Sequence, residues 1–227
     1  MHNFHPTTLR EYDIRGIVGS TLSDADAYAI GRGFGTLLAR AGEGAAAVGY
    51  DGRLSSPELA NALVSGLNDS GIDAHVIGLG PTPMLYFAEA VLDGITGSHN
   101  PPDYNGFKMV FQGRPFYGAD IRQLGSMAAA GDWDGGTGTV TTIDLIDRYV
   151  DRLVQDFGGG PCRMAWDCGN GAAGEVVERL VKRLPGEHHL LFTTIDGHFP
   201  NHPPDPTEEK NLVDLRRVVA GQGLDFG

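Results

Sequence analysis

The stretch AAAVGYDGRLSSPELANALVSGLNDSGIDAHVIGLGPTPMLYFAEAVL, residues 45 to 92, decides the fold, because apolar runs and helical patterns alternate along it. Ala45 to Asp51 is a short apolar run ended by a turn, and Pro57 lies in the first turn of a helix that follows. Ile72 to Gly80 is the next predicted strand, and residues 81 to 92 form the next helix. This order predicts parallel strands joined by right-handed crossovers.

The alternation continues toward the N-terminus. Apolar side chains recur at helical spacing from Ser23 to about Ala41, which predicts a helix with Ser23 as its N-cap. Ser55 or Ser56 is the predicted cap of the helix that contains Pro57. Toward the C-terminus, residues 93 to 97 and 106 to 112 are predicted strands, and residues 119 to 130 are a predicted helix.

A second alternating unit follows the glycine-rich stretch GDWDGGTGT, residues 131 to 139. Its predicted elements are a helix at 143 to 157, a strand at 163 to 167, a helix at 175 to 184, a strand at 190 to 196, a helix at 212 to 220 and the start of a strand at 224 to 227. A domain rarely ends within a strand. We therefore predict an α/β protein with two successive alternating strand/helix domains, residues 1–138 and 139–227. Its sheets are predicted to be mixed and mostly parallel, and the second domain incomplete.

The composition limits the class of protein. The 227 residues are 41% hydrophobic, which is typical of a globular domain with a buried core. The 17 basic and 29 acidic residues give a formal charge of -12, which disfavours a nucleic-acid partner and requires a local basic pocket for any phosphate ligand. The start, MHNFHPTTLREY, is not a secretory signal, and no run is long enough to cross a bilayer, so we expect a cytoplasmic protein without a membrane partner.

Cysteines and histidines give no clear metal site. Cys162 and Cys168 are interpreted as reduced structural thiols, since no further cysteine or histidine cluster accompanies them. His198 and His202 lie among prolines at a spacing that fits an ordered loop better than a ligand pair. The glycine-rich DCGNGAAG, residues 167 to 174, is interpreted as a tight turn onto a helix and not as a phosphate cradle, because it matches no phosphate-loop pattern.

The segment GSHNPPDYNGFK, residues 97 to 108, carries the most chemistry. Ser98 directly follows a predicted buried strand, which places its hydroxyl at a strand's carboxyl end, where ligands bind in such sheets. His99 is a titratable donor and Lys108 a fixed cation, and both suit a phosphoryl group. From these residue types alone, a serine in an ordinary polar loop is an equally good interpretation.

The same segment resembles the phosphoserine loop of the alpha-D-phosphohexomutase family, in which Ser-His-Asn-Pro is followed by an NGxK element. Here that element is Asn105, Gly106 and Lys108, and Gly97 replaces the usual alanine. Further stretches resemble the family's other blocks in order: REYDIRG (10 to 16), GYDGRLSSPEL (49 to 59), DCGNGAAG (167 to 174) and DGHFPNHPPDPTEEKNL (196 to 212). The resemblance covers nearly the whole chain, and YDIRG with FPNHxPDP is similar to the bacterial phosphomannomutase/phosphoglucomutase branch.

The resemblance implies roles for six residues. Ser98 would be the nucleophile that carries a transferable phosphoryl group, and His99 would donate or shuttle protons beside it. Lys108 would offset charge on the phosphoryl oxygens. Tyr12 and Arg15 would steer the sugar and the phosphoserine. For Arg53 the implied role is structural or as a residue that lines the site, although without the resemblance Arg15 and Arg53 could also be surface cations.

The implied reaction converts hexose 6-phosphate to hexose 1-phosphate, with mannose or glucose as the hexose, through a hexose 1,6-bisphosphate. The implied metal is Mg²⁺, bound to Ser98 through its phosphate. The family's Asp-Gly-Asp-Gly-Asp-Arg magnesium loop and two further domains are absent, so we expect an N-terminal portion that is inactive as given. The alternatives are a non-catalytic phosphosugar-binding or interaction module, and a phosphatase. The sequence leaves open the choice of hexose, the phosphorylation of Ser98 and the oligomeric state.

Overall fold

The computed structural model describes residues 1–92 and 104–227 and divides into two compact units, Met1–Asp144 and Leu145–Gly227. The first unit contains β1 (Ile14–Ile17), α1 (Asp24–Arg40), β2 (Ala45–Tyr50), α2 (Ser56–Asn68), β3 (Asp73–Leu79), α3 (Thr82–Leu92), β4 (Tyr104–Phe107), β5 (Met109–Phe111), β6 (Arg114–Phe116), α4 (Ala119–Ala130) and β7 (Val140–Thr142). The second contains α5 (Ile146–Gln155), β8 (Cys162–Asp167), α6 (Gly174–Val181), β9 (Gly186–Leu191), a 3₁₀ turn (Glu209–Leu212) and α7 (Val213–Gln222). The predicted α/β class is confirmed.

The described strands of the first unit form one parallel sheet and two antiparallel pairs. The parallel sheet has the order β2-β3-β7, and the antiparallel pairs are β1-β4 and β5-β6. The single strand predicted at residues 106 to 112 is wrong in one respect: the chain changes partner at Lys108, from β1 to β6, and is therefore two strands. Residues 139 to 144, which the sequence placed in the second domain, lie in the first unit because β7 pairs with β3.

Two glycines set the packing of α1 against α2. A Cβ atom at Gly31 would lie 2.2 Å from the carbonyl oxygen of Leu63, and one at Gly66 would lie 2.2 Å from that of Tyr28. The two helices therefore touch backbone to backbone, at a separation that no side chain fits. This contact lies over the apolar core, where Phe34 is fully buried and packs edge-on against Phe116 at 5.2 Å between ring centres.

The predicted cap of α1 makes its capping hydrogen bonds, whereas that of α2 does not. Ser23 caps α1 in a reciprocal box, accepting from the backbone N–H of Asp26 at 3.3 Å while Asp26 Oδ2 accepts from the N–H of Ser23 at 2.8 Å. Ser55, one of the two predicted cap residues, occupies the cap position of α2, but its side chain makes no capping hydrogen bond. Its hydroxyl accepts from the side chain of Asn105 instead, at 3.0 Å.

The second unit is built on the parallel pair β8-β9. The predicted strand start at residues 224 to 227 agrees with a parallel bridge between Phe226 and Met164 on the other edge of β8. The strand predicted at 190 to 196 is shifted, since β9 covers Gly186–Leu191. Its polar residues are stabilised by cross-strand contacts and not by apolar alternation, as in the 2.7 Å ion pair of Glu187 with Arg163.

Candidate active site

The antiparallel pair β1-β4 brings two of the predicted site residues to one face. Arg15 lies opposite Gly106, and Ile14 opposite Phe107. Because side chains alternate along a strand, Lys108 continues the face of Gly106 and Arg15, while its neighbours Phe107 and Met109 are buried on the other side. Diagonal neighbours in such a ladder lie roughly 7 to 8 Å apart. A guanidinium and an ammonium group therefore share one side of this short ladder.

Gly106 makes this close pairing possible. A Cβ atom at that position would lie 2.2 Å from the carbonyl oxygen of Ile14 and 3.1 Å from the Cα of Arg15. Any larger residue would push the two strands apart. The close pairing of β1, which carries Arg15, with the strand that leads to Lys108 thus explains why the NGxK element has a glycine at this position.

A carboxylate orients the guanidinium of Arg15. Asp13, two residues earlier on the same face, is buried and accepts from Nη2 of Arg15 at 2.6 Å. Arg15 and Lys108 are two cations that the pairing of β1 with β4 brings to this face. That is the local basic feature which a phosphate ligand needs in a chain of formal charge -12.

A buried polar network anchors β4 to the carboxyl end of β2. The side-chain amide of Asn105, which is 6% exposed, donates to Ser55 Oγ at 3.0 Å and to Ser56 Oγ at 2.9 Å. Its Oδ1 accepts from the backbone N–H of Gly106 at 2.8 Å. Ser56 in turn donates to Asp51 Oδ1 at 2.6 Å. The network fixes the strand that leads to Lys108 against the first turn of α2.

Arg53 belongs to this network and not to a surface. It is 5% exposed, and its guanidinium donates to the carboxylate of Asp51. A buried ion pair of this kind is costly to break, because the remaining charge would stay out of water. Of the interpretations that the sequence left open, the surface cation is therefore wrong for Arg53, which holds the loop after β2.

The two predicted phosphate-handling residues Ser98 and His99 lie outside the described residues, so their roles stay predictions. Tyr12 is described: it precedes β1 and its ring is 77% exposed. It stacks on Tyr117, with ring centres 6.5 Å apart and ring planes at 22°. Lys108, Arg15 and Tyr12 are thus placed by the structure, and Lys108 and Arg15 share a face.

Sequence reasoning missed several of these partners. Asp13 could have been found, because an aspartate two residues before an arginine in a strand lies on the same face. Asp51 and Ser56 gave a weaker signal, as polar residues at a strand's carboxyl end. Tyr117 gave none, since its contact with Tyr12 depends on the path of the chain after β6.

A pocket at the carboxyl ends of β2 and β3 is less suited to phosphate. Its lining includes the backbone around Gly78 and Gly80, the N-terminus of α3 at Thr82, and the side chains of Met84 and Asp51. Among the residues that the structure describes, no cation belongs to this lining, and the carboxylate of Asp51 is occupied by Arg53 and Ser56. The basic face of β1-β4 is therefore the better site for an anion.

In the second unit, the two motif stretches are joined to each other. His202 contacts the carboxylate of Asp167 through Nε2 at 3.0 Å and the carbonyl of Pro203 through Nδ1 at 2.9 Å. Asn201 donates to the side chain of Asn170, which adopts a left-handed backbone conformation, at 2.7 Å. DCGNGAAG is thus a turn leading into α6 that pairs with the proline-rich loop.

The cysteine of this turn is not an activated nucleophile. Burial, together with the nearby negative charges of Asp167 and Glu178, raises the pKa of Cys168 to about 11. The thiolate is the reactive form, and it is therefore scarce at neutral pH. Both Cys162 and Cys168 are free thiols, in agreement with their interpretation as reduced cysteines.

Two further observations concern metal-binding groups and membrane-spanning helices. Within residues 1–92 and 104–227, no group of three or more His, Cys, Asp or Glu side chains is arranged to hold a metal ion. No helix in the same ranges has both the length and the apolar character that crossing a bilayer requires.

Comparisons with known proteins agree with this arrangement of motifs. Residues 6–133 match the family model described as phosphoglucomutase/phosphomannomutase, alpha/beta/alpha domain I, and residues 147–227 match the one described as domain II. The phosphomannomutase/phosphoglucomutase of Pseudomonas aeruginosa is 43% identical over 224 residues, which are 96% of this chain and 48% of that protein. The phosphoglucomutase of Neisseria gonorrhoeae is 44% identical over 226 residues, 96% of this chain and 49% of that protein.

A solved structure has the same fold. A phosphoglucomutase/phosphomannomutase family protein from Burkholderia thailandensis superimposes with a TM-score of 0.91 at 41% identity. The match covers 97% of this chain and 51% of the other. The chain thus spans about half the length of the curated relatives it matches.

Proposed function

The chain belongs to the phosphoglucomutase/phosphomannomutase family, and from that premise we propose that it acts in phosphoryl transfer within hexose phosphates. The proposed reaction converts hexose 6-phosphate to hexose 1-phosphate, with mannose or glucose as the hexose. It proceeds through a phosphoserine at Ser98 and a hexose 1,6-bisphosphate intermediate. The observation that supports it is the shared face of Arg15 and Lys108. Arg15 lies on β1, which pairs with β4, and β4 is the strand that leads from the phosphoserine motif to Lys108.

In the proposed transfer, a sugar hydroxyl oxygen attacks the phosphorus of phosphorylated Ser98. The bond from phosphorus to the serine oxygen breaks as the bond to the sugar oxygen forms, and His99 passes the hydroxyl proton to the serine oxygen. Return of the other phosphate of the bisphosphate to Ser98, by the reverse of these steps, completes the isomerisation. The serine is unchanged at the end of the cycle.

The cationic face supplies what such a transfer needs. A phosphoryl group carries about 1.5 to 2 negative charges at neutral pH, and its transfer depends on positioning and charge neutralisation. Arg15, oriented by Asp13, brings to this face a planar guanidinium, a group suited to binding phosphate oxygens. Lys108 adds a second cation from the joint between β4 and β5, and Tyr12 contacts the sugar.

Magnesium is part of the proposal through the family resemblance. It would bind phosphate oxygens on Ser98, because a hard divalent cation prefers oxygen ligands, and it would withdraw charge from the transferred group. The described residues offer no cluster of three metal-binding side chains for it. Ser98, whose phosphate would hold the metal, lies outside the described residues, and the transfer above is derived from the chain's own side chains.

Mass spectrometry tests the proposal at its central residue. The purified protein, as its gene encodes it, is incubated with glucose 1,6-bisphosphate, and its intact mass is measured before and after phosphatase treatment. We expect one phosphate, located at Ser98 by fragmentation, and none in Ser98→Ala. Ser126→Ala, at an exposed serine of α4, is the matched control and keeps the phosphate. A phosphate on another residue, or none, would refute the assignment.

A second candidate function is a non-catalytic phosphosugar-binding or interaction module. Such a module would use the same two cations, Arg15 and Lys108, to bind the phosphate of the sugar without transferring it. Calorimetry with mannose 6-phosphate, with and without Mg²⁺, distinguishes the two candidates. Heat of binding without transfer of phosphate to Ser98 supports the module, and the absence of any heat argues against it.

The proposed setting is carbohydrate metabolism in the cytoplasm, with small hexose phosphates as the partners. The net charge of -12 supports this choice over a nucleic-acid partner.

A further inference from the structure

Tyr12 and Tyr117 form an exposed aromatic pair on the first unit. Their ring centres are 6.5 Å apart with the ring planes at 22°, and the side chains are 77% and 50% exposed. A single exposed tyrosine changes rotamer freely, whereas stacking on a second ring restricts it. Tyr117 therefore restricts the ring of Tyr12 while leaving most of it open to solvent.

Two hydrogen bonds join the segment after Tyr117 to Glu11, the residue before Tyr12. The backbone N–H of Gly118 donates to the carbonyl oxygen of Glu11 at 2.7 Å, and Arg122 Nη1 donates to Glu11 Oε2 at 3.1 Å. Gly118 has φ 56° and ψ -110°, a conformation that glycine tolerates and other residues do not. A Cβ atom there would also lie 3.0 Å from Glu11 Oε1. Contacts at Glu11 and Tyr12 thus hold this loop.

We propose that Tyr117 is a positioning residue for the hexose-phosphate site, acting through Tyr12. The inference rests on the function proposed above, in which Tyr12 contacts the sugar. The C–H face of a pyranose packs against a flat aromatic surface, and immobilising a flexible side chain on binding weakens affinity. A Tyr12 ring that is already stacked has lost that freedom before the sugar arrives. Tyr117 lies outside every stretch that carries the family resemblance.

The expected size of the effect follows from the cost of ordering one side chain. That cost corresponds to a factor of about three to ten in the dissociation constant. Because the ring and not the hydroxyl makes the stack, Tyr117→Phe should retain the affinity. Tyr117→Leu and Tyr117→Met should both weaken it. Since Tyr117 is half-exposed, neither substitution is expected to unfold the protein, and thermal unfolding of each variant verifies this.

The experiment is a double-mutant cycle on binding of mannose 6-phosphate, measured by calorimetry on the protein as its gene encodes it. The variants are Tyr12→Leu, Tyr117→Leu and the double substitution. Tyr86→Leu, at another exposed tyrosine of the first unit, is the control and should bind as the unsubstituted protein does. If Tyr117 acts through Tyr12, the double variant binds no more weakly than Tyr12→Leu alone.

Each result decides between the inference and the function on which it rests. Unchanged affinity in Tyr117→Leu, together with weaker binding in Tyr12→Leu, would overturn the inference and leave the function standing. Additive losses in the double variant would also overturn it, because Tyr117 would then act independently of Tyr12. Loss of affinity in Tyr117→Phe equal to that in Tyr117→Leu would reject the stacked ring as the cause. Failure of the unsubstituted protein to bind would overturn both.

Discussion

Replacing Asn105 with alanine tests whether the buried network sets the position of the strand that leads to Lys108. The substitution removes two donated hydrogen bonds, to Ser55 at 3.0 Å and Ser56 at 2.9 Å, and one accepted from the N–H of Gly106 at 2.8 Å. Asn105 does not have a positive φ, so alanine can adopt the same backbone conformation in β4. The effect should therefore come from the lost amide alone.

The magnitude follows from the three hydrogen bonds. Each contributes about 0.5 to 1.5 kcal/mol net, so their sum is about 1.5 to 4.5 kcal/mol. The hydroxyl of Ser56 keeps its bond to Asp51, which recovers part of the loss. We expect Asn105→Ala to lower the free energy of unfolding of the first unit by about 2 to 3 kcal/mol.

The assay uses urea unfolding followed by tryptophan fluorescence. The chain has two tryptophans, of which Trp133 lies in the first unit and Trp166 in the second. In a Trp166→Phe background, Trp133 alone reports unfolding of the first unit. The matched control is Asn61→Ala, at an exposed asparagine of α2, which should change the stability by less than about 0.5 kcal/mol.

Two results would contradict the reasoning. A loss below about 1 kcal/mol for Asn105→Ala would mean that the network is not a major support of the ladder. A loss equal to that of Asn61→Ala would mean that burial and bonding of the amide do not matter. If the network does position Lys108, phosphorylation of Ser98 by the bisphosphate should also be slower in Asn105→Ala.

Two further predictions concern stability. Gly31→Ala should destabilise the first unit by about 1 to 3 kcal/mol in urea unfolding, because its Cβ would lie 2.2 Å from a backbone oxygen. Gly221→Ala, in α7 with open space around it, should instead stabilise the second unit by about 0.5 to 1 kcal/mol. Destabilisation by both substitutions would reject the steric explanation. Hydrogen bonds from Arg40 lower the pKa of Asp132 and Asp134, so the stability that these carboxylates add is present above their unfolded pKa of about 3.9 and is lost as the pH falls below it. The difference in unfolding free energy between the unsubstituted protein and Arg40→Gln should therefore shrink between pH 7 and about pH 3, and a difference that grows toward acid pH would contradict it.

The sequence alone determined the class of fold and the family. Apolar periodicity and turn residues are local properties, so they located α1 from Asp24 to Arg40 and the strands on either side of α2 to within a few residues. The resemblance carried by the NGxK element and its companion stretches is confirmed by the family matches over residues 6–133 and 147–227. Local pattern failed at β9, where polar side chains pair across strands.

Tertiary structure decided which residues meet. The register of β1 against β4, which no local pattern encodes, put Arg15 on the face of Lys108, and the partner change at Lys108 divided one predicted strand into two. Tertiary structure also buried Arg53 beside Asp51 and stacked Tyr117 on Tyr12. The sequence did not predict either contact. The physical reason is that a residue's type and neighbours in sequence fix its local conformation, whereas its partners depend on packing between distant segments.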